Sequence, residues 1–103
     1  MNLNELTQKA LYIKSLYAHY EKEKSYKEWT AEETYQGLVS DVGDLGRLVL
    51  AKEGFREVDD IDAHMSHELA EILWATLLLA EQYNVNLEQA FIDEMKRLED
   101  RLV

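Results

Sequence analysis

The chain has 103 residues, which suits one domain with one modest core. Apolar residues make up 47% and charged residues 31%, a balance that folds; the absence of cysteine excludes a disulfide framework, a thiolate metal centre and a cysteine nucleophile. Asp and Glu number 21 against 11 Lys and Arg, and the net charge of −10 repels a phosphate backbone, so nucleic acid is not the expected partner.

The start, Met1 to Gln8, is polar and lacks an apolar stretch ending in a small-residue cleavage site. The longest apolar run, Ile72 to Ala80, is broken by Thr76 and falls short of the roughly 20 residues that cross a bilayer. The expectation is a single cytoplasmic domain over residues 1–103, with no membrane partner.

With no proline, helices can run unbroken. Leu3, Leu6, Ala10, Ile13, Leu16, Tyr17 and Tyr20 recur at three- and four-residue spacing and predict a first helix from Leu3 to about Tyr20. The charged stretch Glu21 to Lys27 reads as a connector or a frayed end. Thr30 and Glu33 fit a capping box that opens a second helix, Ala31 to Lys52, with Trp29 as a staple before it and Gly54 as a left-handed cap after it. Gly37, Gly43 and Gly46 lie inside this helix at about 0.8–1 kcal/mol each relative to alanine. Close helix packing, or room for a ligand beside Asp41 and Asp44, would offset that cost.

Asp59, Asp60 and Asp62 can cap a third helix, Ala63 to Tyr83, whose middle is apolar on nearly every side. Such a helix belongs at a bundle centre or in a subunit interface. Asn86 and Gln89 form a cap-like pair opening a fourth helix with the stripe Leu87, Phe91, Met95 and Leu98. Lys96, Arg97 and Arg101 load its last turns with the charge that the helix dipole favours. No strand-like alternation occurs, and the expected class is an all-α, four-helix bundle.

The chemistry lies in two acidic pairs. Asp41 and Asp44 are three apart on the second helix, and Glu68 and Glu71 three apart on the third, set among apolar residues. On antiparallel helices they would bring four carboxylates into one pocket. Unpaired carboxylates at close range raise one another's pKa, and a divalent cation resolves the conflict; an all-oxygen set suits Mg²⁺ or Mn²⁺. The competing expectation is that the four acids pair with Lys or Arg across the bundle. His64 and His67 do not form a zinc-protease helix, because Glu71 stands where that motif needs histidine.

The stretch from Trp29 to Arg101 resembles the MazG-like all-α nucleotide pyrophosphohydrolases. The resemblance rests on Trp29 with its capping segment, on Leu38-Val39-Ser40-Asp41-Val42-Gly43-Asp44-Leu45, on His67-Glu68-Leu69-Ala70-Glu71-Ile72-Leu73-Trp74, and on Leu79 through Phe91. The family pattern is E-x-x-E, a spacer, then E-x-x-D; this chain reads D-x-x-D, then E-x-x-E. Ser40 stands where many relatives carry a further Glu. The resemblance implies a MazG-like bundle completed by dimerisation, some relatives joining into tetramers. It implies Mg²⁺- or Mn²⁺-dependent hydrolysis of a nucleoside triphosphate to monophosphate and pyrophosphate. Asp41, Asp44, Glu68 and Glu71 would be the metal ligands and catalytic acids, and Lys96 and Arg101 would contact phosphate; Trp29 or Trp74 would either stack a base or pack in the core, the latter being the commoner role for such residues. The alternative is a non-catalytic interaction or regulatory protein that keeps the fold with an altered acid set.

Overall fold

The computed structural model describes residues Met1–Val103 and contains four helices and no strand. They are α1 (Leu3–Glu23), α2 (Ala31–Lys52), α3 (Ile61–Gln82) and α4 (Leu87–Leu102). The all-α class and the four elements agree with the sequence pattern. Locally, α2 has the expected bounds, and Glu33 reaches back so that its carboxylate accepts from the Thr30 N–H at 3.0 Å and from the Thr30 hydroxyl. The Glu33 pKa is lowered by these bonds, first of all the one from the Thr30 hydroxyl. Asn86 caps α4 by accepting from the Gln89 N–H at 3.1 Å.

Two expectations need correcting. Glu21 does not belong to a frayed connector: α1 continues to Glu23, and Glu21 is buried because its carboxylate satisfies the Trp29 N–H where the chain turns toward α2. Nor does the acidic run cap α3 through Asp60. Asp60 takes the N-cap position with φ 53°, a left-handed backbone from which its side chain makes no cap bond. Asp62 instead pairs with Lys52 at 2.7 Å, tying the start of α3 to the end of α2.

The first three helices stop in the same way. After α2, the Phe55 N–H donates to Leu50 and the Gly54 N–H to Ala51, with Gly54 at φ 90°. After α1 the same pair of bonds runs from Tyr26 to Glu21 and from Ser25 to Lys22, and after α3 from Val85 to Ala80 and from Asn84 to Glu81. Each is a Schellman motif, which needs one left-handed residue, and Ser25 and Asn84 fill that place at φ 59° and 57°. Asn tolerates this backbone better than Ser.

Helices α2 and α3 form the main packed pair, and their register is antiparallel. Lys52 meets Asp62 at one end, Asp41 and Asp44 meet Glu68 in the middle, and Thr34 shares a cavity wall with Leu78 toward the other end. Helix α1 lies against α3, where Ala10, Leu77 and Leu78 form a small core flanked by Leu3, Leu6, Leu11, Trp74 and Leu87. Helix α4 buries no residue. Of the three helical glycines, only Gly37 has a close neighbour, the Trp29 ring 3.6 Å from where a Cβ would stand. Gly43 and Gly46 face open space, so the packing expected of them is absent within this chain.

The radius of gyration is 16.6 Å, against about 13 Å for a compact chain of this length. The accessible surface of 8165 Å² also exceeds the roughly 6,000 Å² of a compact monomer of this mass. Exposed apolar side chains account for part of the excess: Val42 and Val49 on α2, Leu69 and Leu73 on α3, Phe91 and Ile92 on α4.

Ser25 bears an avoidable cost at the end of α1. Glycine there should raise stability by about 1 kcal/mol in urea denaturation, because it adopts the left-handed backbone without a Cβ clash. An unchanged or lowered midpoint would show that Ser25 is not strained.

Candidate metal centre and aromatic cavity

One face of the α2–α3 pair carries the acids. Asp41 and Asp44 project from adjacent turns of α2 and Glu68 from α3, and their carboxylate oxygens lie within 4.8 Å of one another. All three are half-buried. The Glu68 Oε2 atom is buried and has no hydrogen-bond partner. The Glu68 pKa is raised above its ordinary 4.5, first by burial and then by the negative charges of Asp41 and Asp44. The closeness of the Asp41 carboxylate, which favours a proton on Glu68, adds to the rise.

Pairing across the bundle does not relieve this repulsion. The basic partner present is on the same helix: Arg47 forms an ion pair with Asp44, and both side chains are exposed enough for water to weaken it. An orphaned buried oxygen within an all-oxygen donor set fits a hard divalent cation. The three residues could therefore hold a metal ion.

The fourth acid stands apart. Glu71 lies outside the three-carboxylate set; its carboxylate is 3.8 Å from the imidazole Nε2 of His67, one turn back on α3. It lines a neighbouring cavity of about 480 Å³ together with Asp41, which thus belongs to both features.

The cavity walls are aromatic. Tyr17, Tyr20 and Tyr26 come from α1 and its turn, Trp29 from the segment just before α2, and Trp74 from α3. The Tyr17 and Trp74 rings are 5.8 Å apart and tilted by 38°, and the Trp74 indole N–H donates to the Ala10 carbonyl at 3.3 Å. Trp29 is clamped from α1 on both sides of its backbone. Its N–H donates to Glu21 Oε2 at 3.0 Å, and its carbonyl accepts from Lys14 Nζ at 2.9 Å. Its ring rests over Gly37, 3.6 Å from where a Cβ would stand, an ordinary contact distance.

The sequence-derived substrate residues divide. Trp29 lines the cavity, whereas Lys96 and Arg101 sit on α4 away from it, Lys96 bonded to Asp100 at 3.2 Å. Lys14, Glu21 and Tyr26 were not singled out from sequence, although Tyr17 and Tyr20 stood in the apolar stripe of the first helix. The sole signal for Tyr26 was an aromatic residue inside a charged run.

The raised Glu68 pKa fixes the sign of a pH effect. The folded state holds the Glu68 proton to higher pH than the unfolded state does. The stability this supplies is present below 4.5 and is lost as pH rises through the folded value. In chelator-treated protein, Glu68→Gln should therefore be more stable than the parent at pH 7, with the gap closing near pH 4. Denaturation curves that differ by the same amount at both pH values would contradict this assignment.

Compared with protein-family models, with curated proteins and with solved structures, the chain has no match.

Proposed function

We propose that the chain is a MazG-like nucleoside triphosphate pyrophosphohydrolase that uses Mg²⁺ or Mn²⁺. One observation carries this reading: three converging half-buried carboxylates, with an orphaned oxygen on Glu68, share Asp41 with an aromatic cavity roomy enough for a nucleoside. A triphosphate carries about −4 and would be repelled by these acids alone. Bound Mg²⁺ or Mn²⁺ would supply charge neutralisation for the polyphosphate and polarisation of water.

The residues divide the remaining work. Asp41, Asp44 and Glu68 hold the cation. Glu71, outside that set and at the cavity edge beside His67, accepts a proton from water attacking the α-phosphorus as pyrophosphate leaves. Trp29 and Trp74 give flat apolar faces for a base. Lys96 and Arg101 stand away from the cavity in the single chain, so a contact with phosphate depends on α4 of a second copy.

That second copy has its own support. The surface excess of about 2,000 Å² matches what one protomer contributes to a large permanent interface, and the uncovered apolar residues of α2, α3 and α4 supply the contact chemistry. A homodimer, or a tetramer built from two, is the expected solution state. Light scattering that gives a clean monomer at micromolar concentration would rule this out.

Turnover is tested with each NTP and dNTP in Mg²⁺ or Mn²⁺, scoring monophosphate and pyrophosphate. Glu68→Gln and Asp41→Asn should each lower kcat/KM by at least about 100-fold, since removing a direct ligand costs more than the 10–100-fold tied to an outer-shell partner. Glu71→Gln should abolish turnover while metal binding persists. No pyrophosphate from any nucleotide would end the enzymatic reading.

A second reading is favoured by Arg47, whose guanidinium pairs with Asp44 and competes with a cation for it. In that case the chain is a non-catalytic helical interaction protein. Calorimetry decides between them: absent heat with both Mg²⁺ and Mn²⁺ supports the interaction protein.

A further inference from the structure

The metal and phosphate chemistry leaves Glu21 unused. It is 6% exposed, near the C-terminal end of α1, and it lines the aromatic cavity. Its Oε2 accepts from the Trp29 N–H at 3.0 Å, while Oε1 has no hydrogen-bond partner in the chain. No cation pairs with it, because Lys14, the basic residue that shares the cavity wall, donates to the Trp29 carbonyl.

Burying a carboxylate is costly, and the oxygen of a neutral glutamine could also accept from the Trp29 N–H. What the carboxylate adds is a group that can only accept, with one oxygen unclaimed, in a cavity walled by flat rings. A ligand that satisfies both features is a planar heteroaromatic ring with an N–H donor on its edge. An exocyclic amino group provides that donor. A ring carbonyl at the same place would set its lone pairs against those of the carboxylate.

We propose that Glu21 is a specificity-determining residue whose Oε1 accepts a hydrogen bond from the exocyclic amino group of a cytosine- or adenine-type base held between the aromatic walls. The proposal rests on the nucleotide reading above, which it narrows to amino bases over their keto counterparts. Trp29 couples the two features. The backbone bond to Glu21 fixes the carboxylate, and the indole on Gly37 forms part of the wall the base would meet.

Neutral nucleosides separate this proposal from the metal chemistry. Cytidine and uridine are titrated into the full-length, chelator-treated protein and followed by tryptophan fluorescence. Cytidine should bind at least about tenfold more tightly than uridine, because a ring carbonyl would oppose the carboxylate oxygen where an amino group pairs with it. In Glu21→Gln the amide oxygen can keep the Trp29 N–H while the amide NH₂ faces the ligand, so the preference should reverse toward uridine. Equal affinities, or no binding of either nucleoside by the parent protein, would overturn the proposal whether or not the variant folds. So would an unchanged preference in a Glu21→Gln protein with parental circular dichroism. Nucleoside discrimination without pyrophosphate release would sink the enzymatic reading alone, and pyrophosphate release without discrimination would sink the role of Glu21 alone.

Discussion

The antiparallel register of α2 against α3 is the constraint on which the site depends. The Lys52–Asp62 pair marks one end of that register. From there each turn of α2 faces a defined turn of α3, so Asp41 and Asp44 arrive opposite Glu68. Apolar packing along the pair holds like charges at a separation they would not choose in water. The Glu68 pKa is raised first by burial between the helices and then by that repulsion. A slip of one residue along α3 would rotate Glu68 by about 100° and disperse the cluster.

Helix α1 adds a second layer of positioning. It touches the pair through α3, yet its larger effect is on the turn before α2. Lys14 and Glu21 grip the two sides of the Trp29 backbone, which sets the indole on Gly37 and closes one wall of the cavity. The hydrogen bond from the Trp74 indole to Ala10 secures the opposite wall. The same helix thus supplies core leucines, aromatic walls and the buried carboxylate, and the cavity exists because α1 is tied to both other helices.

Local features were legible in the sequence because their physics is local. Thr30 with Glu33, Asn86 with Gln89, and Gly54 act within one turn of the residues they cap. Glu21 was not legible, because its partner is the N–H of Trp29 across a chain reversal, and a charged neighbourhood is the usual mark of a solvated turn. The four acids were legible as a group but not in their division. Residues three apart on a helix differ by about 60° in direction, which suffices to send Glu68 into the acid cluster and Glu71 to the cavity edge. The glycines misled for a related reason: spacing shows that Gly43 and Gly46 lie on α2, but not that nothing in this chain stands within 4 Å of them.

The acid excess and the open shape bear on each other. A chain with net charge −10 resists collapse through its own repulsion, and a thin core gives little to oppose it. Three of those acids are concentrated within 4.8 Å, where their repulsion is strongest and where a single divalent cation would remove most of it. A cation bound there would therefore act on the fold as well as on the chemistry, by linking α2 and α3, the main packed pair. The charge that argues against a nucleic-acid backbone becomes, at this one place, the means by which a metal ion and a smaller polyanion could both be held.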